Sequence, residues 1–119
     1  MLNLSHKKLD VWRKSIDLVS EIYAITEQFP KIEIYGLTSQ LRRAAISVAS
    51  NIAEGASRSS EKERSRFYEI ARSSLAEIDT QIEIALKLKF CSTEEVSKIE
   101  KPMEDCFAML SRLIASIKS

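Results

Sequence analysis

Eight cations are the residues of this chain best suited to chemistry, and the chemistry is phosphate binding. Lys7, Lys8, Arg13 and Lys14 lie near the start, and Arg58, Lys62, Arg64 and Arg66 gather mid-chain. Clustered Lys and Arg release counterions from a nucleic-acid backbone and position it without reading its bases. The same pattern fits an ordinary solvated face, partly paired by Asp10, Glu61 and Glu63. The aromatic residues among these basics are Trp12, Phe67 and Tyr68, and apolar spacing assigns Trp12 and Phe67 to the core. Base stacking therefore has little support.

A second constellation is polar. Arg43, Ser47, Asn51 and Glu54 recur at helical spacing on one side of a segment, and Arg72, Ser73, Ser74 and Glu77 follow on the next. Two arginines and two carboxylates suit a hydrogen-bonded network that fixes helix register or a subunit contact. Glu54→Ala would then strand an arginine in a poorly solvated setting, at about 3–5 kcal/mol. A paired-carboxylate active site is the competing reading. No nucleophile–base pair, phosphate loop or Glu-x-x-His motif accompanies it. The one histidine, His6, reads as a surface residue near the terminus. No catalytic residue, metal site or cofactor is expected, and the chain is not read as an enzyme. Cys91 and Cys106, 15 positions apart, form no metal knuckle and are expected to be free thiols.

These residues need elements to hold them. With 45% apolar residues, 2 Gly and 2 Pro in 119 positions, long helices are expected within one domain, residues 1–119. A first helix over 7–28 carries two adjacent stripes. One is Trp12, Ile16, Val19 and Tyr23; the other is Val11, Leu18, Ile22, Ile25 and Phe29. Pro30 stops it. A second helix over 37–55 has one stripe of Leu37, Leu41, Ala44, Val48 and Ile52 and another of Ile46, Ala49 and Ala53. With small polar groups filling much of the remainder, it has almost no solvent face, which suits a central or subunit-interface position. Gly55 suits a left-handed C-terminal residue.

Ser60 and Glu63 have capping-box spacing for a third helix over 60–89, and Ser92 and Glu95, with Thr93 as the alternative cap, repeat it for a fourth over 93–118. The fourth helix has a seam of Val96, Ile99, Met103, Cys106, Leu110, Leu113 and Ile117 that keeps phase across Pro102, so a kink or a broken first turn is expected there and not a stop. Short links make the fold all-α, an antiparallel up-down-up-down four-helix bundle.

That topology separates charge which the totals hide, since 18 basic and 17 acidic residues nearly cancel. Residues 1–17, 51–69 and 108–119 share one end and hold 10 Lys/Arg against 6 Asp/Glu, a net of +4. The rest holds 8 against 11, a net of −3. Apolar runs are too short for a membrane span of about 20 residues. The start lacks the apolar core of an export signal, so a cytoplasmic location is expected.

Val11-Trp12, Phe29-Pro30, Glu33, Tyr35-Gly36-Leu37, Gln40, Arg42-Arg43-Ala44, Ser47, Asn51-Ile52-Ala53-Glu54-Gly55, Arg58, Phe67, Ala71, Ser74-Leu75 and Glu77 resemble a bacterial four-helix-bundle family. That family is the protein encoded by intervening sequences in large-subunit ribosomal RNA genes, and it includes the accessory variability determinant of diversity-generating retroelements. The resemblance covers about residues 9–86. Ala49 stands where the family often has proline, and Ser73 where it often has glycine. The resemblance implies a homopentameric ring with a basic surface. In retroelement members it also implies binding to nucleic acid and a reverse transcriptase.

The leading expectation is a non-enzymatic homo-oligomer that binds RNA or DNA through its basic end and assists a reverse transcriptase or other protein partner. The alternative is a protein-interaction scaffold whose polar stripe serves assembly alone.

Overall fold

The computed structural model describes Met1–Lys118; Ser119, the last residue of the expected domain, lies outside the described residues. Four helices account for most of them: α1 (Asp10–Thr26), α2 (Leu37–Ser57), α3 (Glu61–Lys87) and α4 (Thr93–Lys118). Each helix packs on two neighbours, α1 on α2 and α4, and α3 on α2 and α4. Paired residues run in opposite order along three of these four interfaces, which fixes the sense of the fourth. Ser47 meets Ser74 and Gln40 meets Gln81 between α2 and α3. Lys14 of α1 meets Asp105, and Gln28, just past the end of α1, meets Glu95 on α4. Arg72 meets Ser111 and Glu69 meets Lys118 between α3 and α4. The bundle is therefore antiparallel throughout. Its 43 Å long axis matches the roughly 40 Å that the 27 residues of α3 span at about 1.5 Å each.

The helix limits follow from caps and breakers. The first helix starts later than the periodicity suggests. Ser5–Lys8 form a separate 3-10 turn, and Leu9 is extended (φ −76°, ψ 128°). Asp10 then places a carboxylate in the first turn of α1, where the helix dipole favours it. At the other end the Thr26 hydroxyl donates back to the Ile22 carbonyl at 2.7 Å. A 3-10 turn, Lys31–Tyr35, leads into α2, and the Glu33 carboxylate caps that helix by accepting from the Leu37 amide at 3.0 Å.

Ser60 caps α3 by accepting from the Glu63 amide at 3.1 Å. The Ser92–Glu95 box is reciprocal: Glu95 Oε1 accepts from the Ser92 amide at 2.8 Å, and Ser92 Oγ accepts from the Glu95 amide at 3.2 Å. The α4 helix runs unbroken through Pro102.

The end of α3 falls two residues short of the expected Lys89. There the Phe90 amide donates to the Ala85 carbonyl and the Lys89 amide to the Leu86 carbonyl, which is a Schellman closure. Lys89 occupies its left-handed position, at φ 64°. Glycine adopts that conformation without a Cβ clash, so Lys89→Gly is expected to raise stability by about 1 kcal/mol. Urea denaturation followed by circular dichroism would show the gain as a higher midpoint at unchanged slope.

The core is made by Leu18 and Ile22, Leu41, Val48 and Ile52, Leu75 and Ile78, and Cys106 and Leu110, all at most 1% exposed. Of the two stripes on α1, the one containing Leu18 and Ile22 enters the core. In the other, Trp12 and Val19 are half-buried while Ile16 and Tyr23 are exposed at 43% and 38%. On α2 the first stripe is buried throughout, but Ile46 is 45% exposed, and Gln40, Arg43, Ser50 and Glu54 face solvent. In the single chain α2 thus has the wet sector that its composition argued against. On α3 it is Tyr68, at 4% exposure, that enters the core, while Phe67 stays half-buried. In α4, Ile114 joins the buried seam.

Candidate nucleic-acid interface

The turn between α2 and α3, with the start of α1 beside it, holds the predicted cations. Gly55 does not end α2 in a left-handed conformation; it lies within the helix, which continues to Ser57. Its lack of a side chain lets α3 approach. A Cβ at that position would lie 2.9 Å from Tyr68 Cε1 and 3.1 Å from Phe67 Cβ. This contact sets Phe67 beside Arg58 and Arg66, whose guanidiniums stand 4.9 Å and 5.6 Å from the ring centroid. Arg64 ties the turn from within, donating from Nη1 to the carbonyls of Arg58 at 3.2 Å and Ser59 at 3.1 Å.

The N-terminal basics reach this region through the 3-10 turn, which packs on both α1 and α2. His6 is no simple surface residue, since its ring meets Trp12 edge-on at 5.0 Å and holds the turn to α1. Lys7 donates to the Leu2 carbonyl.

The eight cations divide by partner. Arg13 pairs with Asp10 at 2.5 Å, Lys14 with Asp105 at 3.5 Å, Arg58 with Glu54 at 2.7 Å and Arg66 with Glu63 at 4.0 Å. Among the described residues, Lys7, Lys8, Lys62 and Arg64 enter no ion pair. The Asp105 carboxyl is held below the usual carboxylate range, mainly by its hydrogen bond from Lys101 and further by Lys14. Lys14 is thereby turned toward α4.

The expected network of arginines and carboxylates between α2 and α3 does not form in the single chain. Its hydroxyl and amide members do meet. Ser47 Oγ lies 3.0 Å from Ser74 Oγ, and Asn51 Nδ2 donates to the Ser47 carbonyl at 2.8 Å and to its hydroxyl at 3.0 Å. The charged members point elsewhere. Arg43 and Glu77 are exposed, Glu54 turns along its own helix to Arg58, and Arg72 reaches across to Ser111 on α4 at 3.2 Å. Short side chains make the α2–α3 contact at this level.

With the side chains of Glu54 and Arg58 exposed at 46% and 44%, Glu54→Ala is expected to cost about 0–1 kcal/mol in an isolated chain. Thermal melts at low protein concentration check this. A loss of several kcal/mol would place Glu54 in a dry contact between copies.

Arg42 stands in the family resemblance but not in the polar constellation, where its neighbour Arg43 does. Arg42 Nε donates to Thr26 Oγ1 at 2.9 Å, and its guanidinium lies 4.5 Å from the centroid of the Tyr23 ring. It ties α2 to the end of α1. Its signal was its helix phase, one residue from Arg43 and about 100° round the wheel.

Both cysteines are free. Burial, helped by Asp105, pushes the Cys106 thiol up to about 11, so it stays protonated at neutral pH. Among the described residues no group of three or more His, Cys, Asp or Glu is placed to hold a metal ion, and no helix is long and apolar enough to cross a membrane.

Residues 7–112 match the family described as 23S rRNA-intervening sequence protein. The bundle is similar to a crystal structure from Bacteroides thetaiotaomicron VPI-5482, described as a protein with unknown function from the S23 ribosomal protein family. The likeness has a TM-score of 0.78 at 19% identity and covers 87% of this chain and 97% of that one. At that identity it is a likeness of fold. No curated protein matches the chain.

Proposed function

The chain belongs to the 23S rRNA-intervening sequence protein family, and from that premise we propose that it is a non-enzymatic, homo-oligomeric accessory module that binds RNA or DNA through its basic end. The observation that carries the reading is the set Lys7, Lys8, Lys62 and Arg64, gathered at one end of the bundle without ion-pair partners among the described residues. Arg13, Arg58 and Arg66 add charge that a phosphate can recruit from their exposed carboxylate partners. Contacts of this kind hold the backbone and leave the bases unread. A single chain with a local excess of +4 binds weakly, whereas copies with aligned axes present a continuous positive face. Five copies and a reverse transcriptase or other nucleoprotein partner follow from the family resemblance.

The scaffold reading also has an observation in its favour. Tyr23, Ile34, Tyr35 and Ile46 leave apolar surface exposed around the α1–α2 link, which suits contact between copies or with another protein.

An RNA and DNA titration at two salt concentrations separates the two. Affinity is expected to fall with salt at a log–log slope of about −0.7 to −0.9 per phosphate neutralised. Lys8→Glu/Lys62→Glu and Arg58→Glu/Arg66→Glu should each weaken binding and flatten that slope. Binding absent at low salt, or indifferent to both charge reversals, leaves the scaffold reading standing.

A further inference from the structure

The face opposite in character to the basic end is a groove between α3 and α4. Its floor is apolar, with Leu75 and Ile82 from α3 and Ile99 and Met103 from α4, and Phe107 forms a wall that is 46% exposed. The wider part encloses about 510 Å3, and a narrower part of about 130 Å3 continues it toward Val96. From Val96 to Ala108 the groove follows α4 for roughly 18 Å at about 1.5 Å per residue, a little over three helical turns. Ala76 and Ala108 at the rim are small enough to let another backbone come close.

The charges on the rim select the occupant. Asp79 and Glu83 on α3 confront Glu100 and Glu104 on α4, each pair one helical turn apart, and all four are exposed. None of them enters an ion pair among the described residues. Like charges at that spacing destabilise their own helices slightly, and a second row across the groove adds to the repulsion. Of the nearby cations, Lys101 pairs with Asp105 at 2.9 Å, and Arg72 is held by Ser111 and lies 5.8 Å from the Phe107 ring centroid. The four carboxylates are too spread to hold a metal ion, and they repel nucleic acid. An elongated ligand with an apolar ridge and cations on both flanks satisfies the floor and both rims at once.

We propose that the α3–α4 groove is a docking site for a basic amphipathic helix of a partner protein, seated by apolar residues at i, i+3, i+4 and i+7 with Lys or Arg on either side. Phe107 and Met103 take the apolar ridge, and Asp79, Glu83, Glu100 and Glu104 take the cations. The proposal stands independently of nucleic-acid binding, which uses the other end of the bundle.

The test is fluorescence anisotropy on the full chain, using a labelled synthetic helix of leucine ridge and lysine flanks. A glutamate-flanked version of the same peptide and a scrambled one serve as controls. The lysine peptide is expected to bind, more weakly as salt rises, and both controls to fail. Phe107→Ala and Glu100→Gln/Glu104→Gln should each weaken binding about tenfold or more, while Arg58→Glu/Arg66→Glu leaves it unchanged. Circular dichroism confirms that the variants remain folded, and Asp79→Asn/Glu83→Gln repeats the charge test from α3. No binding of the lysine peptide, equal binding of the glutamate peptide, or indifference to Phe107→Ala and both carboxylate pairs overturns the proposal. So does a fall in oligomer mass by light scattering on Phe107→Ala, which would make a second copy of this chain the occupant.

Discussion

Leu110→Ala is expected to destabilise the bundle by about 2–5 kcal/mol, because Leu110 is fully buried in the α4 seam and truncation loses both transfer energy and packing around the cavity. The comparison is Lys118→Ala on the same helix. Lys118 pairs with Glu69 at 2.7 Å, but the two side chains are exposed at 61% and 43%, so its loss should cost about 0–1 kcal/mol. Melting curves measured side by side decide the matter. A native fold usually holds only about 5–15 kcal/mol, so the first substitution should depress the midpoint visibly and the second should barely move it. Matching curves would remove Leu110 from the core.

The second large effect is expected at Gly55, and it separates two accounts of one residue. A glycine that closes a helix in the left-handed region is replaced by asparagine at little cost. A glycine inside a helix against a neighbour is not. With a Cβ 2.9 Å from the Tyr68 ring and 3.1 Å from Phe67 Cβ, Gly55→Asn must push α3 away or displace a ring that is only 4% exposed. Overpacking of that kind costs about 1–3 kcal/mol. The displacement reaches the candidate interface, since Phe67 is the surface on which Arg58 and Arg66 are set. Gly55→Asn should therefore lower both the melting midpoint and the affinity for nucleic acid. A variant that melts like the parent would return Gly55 to the role of a cap.

Several features of the site are legible in the sequence itself. Ser60 and Ser92 were recognisable as caps from the glutamate three residues on, because capping is chemistry between near neighbours in the chain. The clustering of Arg58, Lys62, Arg64 and Arg66 required only that they share one turn and one helix start. The ion pairs that divide the eight cations were harder. Local partners such as Asp10 for Arg13 lay within reach of spacing, but Lys14 is held by Asp105, 91 positions away along the chain, and no local pattern connects them. The acidic groove was hidden for the same reason. Asp79 and Glu83 look like an ordinary wet helix face until α4 brings Glu100 and Glu104 alongside.

By itself, the sequence determined that there are four helices, where the links fall, which end carries the positive charge, and which apolar residues share a stripe. These depend on the 3.6-residue period, on caps and breakers, and on the short links that force neighbours to be antiparallel. Only the tertiary structure decided how far each helix is rotated about its own axis. Periodicity relates residues on one helix to each other and is silent on which of two adjacent stripes faces inward. That is why Leu18 and Ile22 are buried while Ile16 and Tyr23 are not, and why Tyr68 displaced Phe67 from the core. The rotation is set by packing against the other three helices: Gly55 admits Tyr68, and the small Ser47–Ser74 contact draws α2 and α3 together. Close packing of that kind depends on side-chain volumes from distant parts of the chain meeting at once, and it left Lys89 in a left-handed turn that its own preference disfavours.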